Sequence, residues 1–282
     1  MMRFQFAGVA LLGVIAAACT SNQMPGGSAP SHTMPPDAAG APSRLAASPR
    51  HGEWVTIRTG PSDSVRAWVV YPERTTKAPV VIVVQEIYGL SSWIRSVADQ
   101  LAADGFIAIA PDLLTMKNLG ADSDSALMAL APAATRSLNQ ADVQRQLDAI
   151  AQYGMSLPAA QRKYGIVGFC WGGGTSFTHA THAPTLGASV VYYGPNPPPA
   201  ALGTVIAPVL GLYASDDERV NSTIPPADST MRALGKTYVQ NMYQGAGHGF
   251  LRQQGGRNGA NLAAAQAAWP ATIAWFRKYL ES

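Results

Sequence analysis

Charge is scarce in this 282-residue chain: only 13% of residues are Asp, Glu, Lys or Arg, and 20 basic against 17 acidic residues leave a net charge of +3. A nucleic-acid-binding surface needs a clustered basic excess to neutralise phosphates, and so small a surplus provides none. The mean hydropathy of +0.03 excludes a polytopic membrane protein. No segment repeats at a fixed period, which excludes a solenoid. Cysteine is nearly absent, with two in the whole chain, Cys19 and Cys170, and no C-x-x-C pair to form a dithiol centre. Histidines at ligand spacing are also few. His179 and His182 stand i, i+3 with no third ligand nearby, so no metal is expected. What the chain does have is 47% hydrophobic residues, enough to bury a large α/β core.

The N-terminus reads as a targeting segment. Arg3 makes a short basic region, and Phe6 to Ala18 is an uncharged apolar run of 13 residues, well short of the roughly 20 that span a bilayer. Residues 1–18 are expected as a signal peptide. Ala16-Ala17-Ala18 precedes Cys19, an arrangement that resembles a lipobox with Ala16 where Leu is usual, and makes Cys19 the lipidation candidate. Cleavage without lipidation is the alternative, and both readings export the chain to the periplasm or the membrane surface. Residues 19–50 are expected as a disordered tether: from Thr20 to Arg50 there is no aromatic residue, and nine of 31 positions are Pro or Gly. His32 and His51, in or beside it, are expected as solvated loop histidines.

From residue 51 to 282 strand and helix patterns alternate. Glu53–Thr59 and Val65–Tyr71 flank a Gly-Pro-Ser-Asp turn and predict an antiparallel hairpin. Pro79–Gln85 is a continuous β-branched run, the mark of a strand buried on both faces of a mostly parallel sheet. Further strands are expected at Phe106–Ala110, Tyr164–Gly168, Ala188–Tyr193, Val205–Tyr213 and Thr237–Tyr243. Helices are expected at about Ser92–Ala103, Ser123–Leu130, Gln140–Tyr153, Gly172–Thr181, Pro226–Leu234 and Ala260–Leu280. The class is α/β, a mostly parallel central sheet with helices on both faces, and chemistry in such sheets gathers at the carboxyl ends of the strands.

Gly168-Phe-Cys170-Trp171-Gly172 follows a buried strand and opens a helix. It is a nucleophile elbow with Cys in the Ser position: the glycines let strand and helix backbones approach, and the helix N-terminus favours the thiolate that attacks. Trp171 N–H would supply one oxyanion donor. Gly247-His248-Gly249 delivers a histidine on a flexible loop after the last strand, and the loop at Ser215-Asp216-Asp217 offers an acid to orient it, either aspartate on spacing alone. The chain order nucleophile, acid, histidine is that of the α/β-hydrolases.

Four motifs taken in order, Gln85-Glu86-Ile87-Tyr88-Gly89, Ala110-Pro111-Asp112-Leu113, Gly168-Phe169-Cys170-Trp171-Gly172-Gly173 and Gly247-His248-Gly249-Phe250, resemble those of the dienelactone hydrolase family. The resemblance covers essentially all of the chain after residue 51. It implies an α/β-hydrolase fold and a Cys170-Asp217-His248 triad, the aspartate three residues before Val220 being the one that matches. It also implies that Glu86 controls the protonation of the cysteine and that Ile87 N–H is the second oxyanion donor. Arg252 matches one of two arginines that hold a substrate carboxylate in the family; at the place of the other stands Leu114-Thr115-Met116, followed by Lys117, a point charge that cannot reproduce a planar bidentate clamp. Tyr88, Trp93, Trp171 and Tyr193 are either pocket lining or core packing.

The expected activity is cofactor-free hydrolysis of a small carboxylic ester or lactone by a monomer. Two other readings stay open: a thiol redox protein, and a non-catalytic envelope lipoprotein that uses the fold for binding. An unpaired thiol is unusual in a secreted protein, because oxidising compartments favour pairing, and catalysis explains its retention.

Overall fold

A computed structural model describes residues 1–2 and 34–281. The expected signal cleavage site, Cys19 and His32 lie outside the described residues. No described helix is long and apolar enough to cross a membrane.

The strands are β1 (Gly52–Arg58), β2 (Ser64–Val70), β3 (Ala78–Val84), β4 (Ile107–Asp112), β5 (Ala160–Phe169), β6 (Leu186–Tyr192), β7 (Val209–Asp216) and β8 (Tyr238–Gly247). The helices are α1 (Ala41–Ala46), α2 (Ser92–Ala103), α3 (Asp124–Arg136), α4 (Gln140–Ser156), α5 (Trp171–Ala180), α6 (Glu218–Asn221), α7 (Ile224–Ala233) and α8 (Ala260–Leu280). The sheet order is β1-β2-β4-β3-β5-β6-β7-β8. β1–β2 and β2–β4 pair antiparallel, and every other neighbouring pair is parallel.

Every residue of β3 is buried. Its alternate side chains enter two separate cores, Val81 and Val83 packing with residues of α2 and α8, and Val80, Ile82 and Val84 with residues of α4. A strand that must satisfy apolar layers on both faces has no polar position, which is why it reads as an unbroken run. α2 starts where the Ser91 side chain accepts from Ile94 N–H and stops before Gly105, whose φ is +103°, a left-handed stop that glycine tolerates. β5 runs longer than its apolar sequence, starting at Ala160, which pairs with Ala78 of β3, and β7 starts later, at Val209, after a 3-10 turn at Pro199–Thr204.

The tether is where the sequence reading is corrected. Residues 34–50 are ordered against the domain: Ala41 is fully buried in the core, the Trp93 indole donates to Pro36 O at 3.0 Å, and Arg50 pairs with buried Asp99 at 2.6 Å. Composition missed this because the segment is held by backbone carbonyls and by charges from the domain, and a polar anchor of that kind leaves no hydrophobic period to read.

Candidate active site

β5 ends at Phe169, and the chain turns into α5 at Cys170, whose φ is +56°. A non-glycine residue in that region is strained and is held only by its surroundings. Here Cys170 N–H donates to Tyr192 O at 3.0 Å. The close approach is made by glycine: a Cβ at Gly168 would stand 1.8 Å from Gly172 O, and one at Gly172 would stand 2.3 Å from Gln85 O. The first turn of α5 is therefore pressed against Val84 and Gln85 at the end of β3. As the first residue of a helix, Trp171 has an N–H with no intrahelical acceptor.

β7 and β8 bring the other two side chains. Asp217 follows β7 and caps α6, whose Asn221 amide ties the loop down by donating to Ala214 O at 2.9 Å. His248 follows β8, with Gly247 N–H held on Asn261 Oδ1 at 2.9 Å. His248 Nδ1 donates to Asp217 Oδ2 at 2.5 Å, the aspartate being almost fully buried. That leaves Nε2 for the Cys170 thiol, with which the ring interacts electrostatically. Burial of the ring opposes its charge, but the bond to Asp217 and the proximity of Cys170 outweigh it and push His248 up to about 10. Asp216 faces away and pairs with Arg257 at the surface. Of the two aspartates left open by spacing, the structure sets Asp217 on the histidine.

Glu86 is buried at the end of β3, only 4% exposed. Desolvation raises its carboxyl to about 7, against the pull of Arg252 and His248. Arg252 Nε stands 3.2 Å from Glu86 Oε2, its guanidinium lies 5.0 Å from the centre of the Tyr88 ring, and its Nη2 reaches Met128 Sδ at 3.4 Å. The arginine expected to face a substrate carboxylate thus lies against a carboxylate of the protein itself. Lys117 is exposed in a 3-10 turn. α3 braces the other side of this loop, Thr135 Oγ1 donating to Ile87 O at 3.2 Å.

Tyr193, left between lining and packing, is fully buried in the core and packs beside the histidine. Its backbone is left-handed, with φ +39°, and its ring meets His248 edge-on at 5.2 Å. Its buried hydroxyl has no protein hydrogen-bond partner among the described residues, and burial next to Glu86 and Cys170 raises it well above its ordinary value, so it stays neutral. Trp93 is core, edge-on to Phe169 at 5.1 Å. His179 is buried between Gln144 Oε1 at 2.9 Å and Tyr164 Oη at 3.0 Å, while His51 stacks on Tyr71 at 5.6 Å. No group of three or more His, Cys, Asp or Glu able to hold a metal occurs among the described residues. Asn261, Met128 and Thr135 all support the site without having stood out in the sequence, since none carries a motif of its own.

The sequence profile of the dienelactone hydrolase family matches residues 65–280. The chain belongs to that family. This hydrolase is 32% identical over 238 residues to an inferred carboxymethylenebutenolidase of Salmonella typhi, covering 80% of this chain and 87% of that one. It is 30% identical over 230 residues to an inferred carboxymethylenebutenolidase of Escherichia coli K12, covering 77% and 83%. Among solved structures it is similar to an inferred dienelactone hydrolase from Klebsiella pneumoniae, with a TM-score of 0.70 and 27% identity over 82% of this chain and 99% of that one. The hydrolase has the α/β-hydrolase fold of these neighbours, with the eight-stranded, mostly parallel sheet described above.

Proposed function

We propose that the chain hydrolyses a small carboxylic ester or lactone through Cys170, His248 and Asp217. The observation that carries this reading is the strained Cys170 at the elbow, interacting with a His248 ring that is held on the buried Asp217 carboxylate. The thiolate sulfur of Cys170 attacks the carbonyl carbon, and the oxygen that becomes negative is held by the amides of Ile87 and Trp171. The proton carried by His248 passes to the leaving oxygen as the carbon–oxygen bond breaks, leaving an acyl thioester on Cys170. His248, now neutral and oriented by Asp217, takes a proton from water as the water attacks the thioester; sulfur departs as thiolate, and the acid is released. Every proton is accounted for by one imidazole, with no cofactor in the cycle.

Glu86 titrates within the working range, its carboxyl raised to about 7, so it can change charge beside the nucleophile as substrate arrives. Tyr88 and Arg252 form the wall next to it and are proposed to contact the substrate. With Lys117 exposed and Arg252 already against Glu86, neutral esters and lactones fit this site better than a dicarboxylate-like dienelactone.

The test is turnover of p-nitrophenyl acetate and of a small lactone by the purified chain and by Cys170→Ala. Turnover is expected to vanish in the variant, and unchanged rates would remove the assignment. A redox role is separated by titrating the thiol with peroxide against ester turnover.

The same proposal places the enzyme outside the cytoplasm as a monomer, free in the periplasm or anchored through a lipidated Cys19. It rests on Arg3, the apolar run Phe6 to Ala18 and Ala16-Ala17-Ala18-Cys19. Mass spectrometry of the mature N-terminus would show a diacylglyceryl cysteine if it is right, and an unprocessed Met1 would refute export.

A further inference from the structure

The family match begins at residue 65, yet described residues precede it from 34 onward. The extra segment runs across the turn that carries Arg252. Ala38 N–H donates to Arg252 O at 2.9 Å. Gln254 Nε2 donates to Pro35 O at 3.0 Å and to Leu251 O at 3.1 Å, in a buried setting. The turn itself is closed by Arg252 N–H and Gln253 N–H, both donating to Gly249 O at 2.9 Å, directly after His248. The segment is pinned at the far side by α2, where Trp93 Nε1 donates to Pro36 O at 3.0 Å, Ser48 Oγ bonds Asp99, and Arg50 Nε reaches Asp99 Oδ1 at 3.0 Å. Pro35 and Ala41 are buried under it.

We propose that residues 35–38 are a positioning element of the active site, gripping the Arg252 carbonyl and the Gln254 side chain so that the Arg252 guanidinium is held against Glu86. The catalytic consequence rests on the hydrolase reading, and the positioning itself does not. The groups that face Glu86 are few: Arg252 from the turn after β8, His248 beside it, and the Tyr193 hydroxyl, which also faces Cys170. Arg252 pulls the Glu86 carboxyl down; its guanidinium is a long side chain with four rotatable bonds, and fixing its backbone on one side and its fork between Glu86, Tyr88 and Met128 on the other removes the freedom to leave. With the strap loosened, Arg252 spends time away from Glu86, and the carboxyl, still desolvated, moves further up.

The experiment is a carbon-13 NMR titration of Glu side-chain carboxyls in the full chain, which has only five glutamates. Glu86 is expected as a resonance with a midpoint near 7, apart from the ordinary carboxyls. Arg252→Met is the reference and should raise that midpoint. Ala38→Pro, which lacks the N–H donor, and Gln254→Leu, which lacks the amide, should each raise it by at least half as much. Ser48→Ala loosens only the distal end and should lower the melting temperature without moving Glu86, the behaviour of a merely structural contact. A Glu86 midpoint unmoved in both strap variants, or unmoved in Arg252→Met, would overturn the proposal; if Ala38→Pro does not fold, Gln254→Leu decides. Ester turnover on the same samples separates the two readings, because a wild-type chain without turnover refutes the hydrolase and leaves the titration result standing.

Discussion

Asp216 and Gly247 are register partners on the parallel strands β7 and β8. The residue after each is therefore Asp217 and His248, and the hydrogen bond of 2.5 Å between them follows from that pairing at the strand ends. Parallel neighbours deliver their C-terminal ends to the same edge, but the interior register, in which Ala214 faces Tyr243, shifts before Asp216 meets Gly247, so it is this irregularity at the strand ends that decides which acid meets the ring.

Asp217→Asn should keep the fold and lower kcat/KM by roughly 10³- to 10⁴-fold, because an amide no longer selects the tautomer or stabilises the imidazolium. Asp216→Asn removes only an exposed partner of Arg257 and should stay within about twofold of wild type. Steady-state turnover of one ester by both variants checks this, and equal losses would show that the register argument is wrong.

Gly172→Ala puts a methyl group 2.3 Å from Gln85 O and 2.5 Å from Val84 O. Both are backbone atoms of the central strand and its end, so nothing can swing aside. The expected cost is about 3 kcal/mol of stability, together with loss of turnover as the elbow lifts away from the Ile87 loop. Denaturant melts of the variant measure the first, and an unchanged midpoint would show that the elbow is looser than its contacts suggest.

Glu86 has a folded value of about 7 against an ordinary 4.5. A carboxyl raised by folding contributes stability that is complete below 4.5 and is lost as pH rises through about 7. Wild-type stability should therefore fall over that window by about 3 kcal/mol, and Glu86→Gln should remove this part of the decline. Chemical denaturation across pH 4 to 9 distinguishes the two curves, and parallel curves would place the Glu86 carboxylate in a better solvated setting.

His179 behaves in the opposite sense. Burial lowers it from 6.5 to about 4, so its neutral form stabilises the fold above 6.5 and that contribution is lost as pH falls through about 4. His179→Leu leaves Gln144 and Tyr164 without their partner and should cost about 1 to 3 kcal/mol at neutral pH. It should also flatten the acid limb, with turnover per folded molecule retained, since the residue lies on the far side of α5 from the thiol. A variant as acid-sensitive as wild type would count against a titrating His179.

Most of the scaffold was legible because periodicity and burial agree. β3 reads as buried because both of its faces are covered, and α2 and α8 were expected at the bounds they have, since a Ser cap and a glycine stop bracket the first and a long run of Ala and aromatics makes the second. Cys170, His248 and Glu86 stood out because glycines or a strand end flank them. The choice between Asp216 and Asp217 could not be made from spacing alone, because β7 ends at Asp216 and the register shift beside it, which no local pattern announces, decides which of the two meets the ring. Arg252 against Glu86 was not legible either: the pair joins the first buried strand to the turn after the last, and no local pattern connects them. The strap escaped for a third reason, since its grip runs through the carbonyls of Pro35 and Pro36 and the amide of Ala38, groups that every sequence has.

β1 and the strap also set where the chain can be shortened. β2 is bonded on one side to β4 and on the other to β1, so a chain cut back to residue 65, the start of the family match, leaves a bare row of amides and carbonyls along a flat strand. Such an edge is a template for a second molecule. Aggregation, more than loss of any catalytic group, is the fate expected of the family-sized fragment.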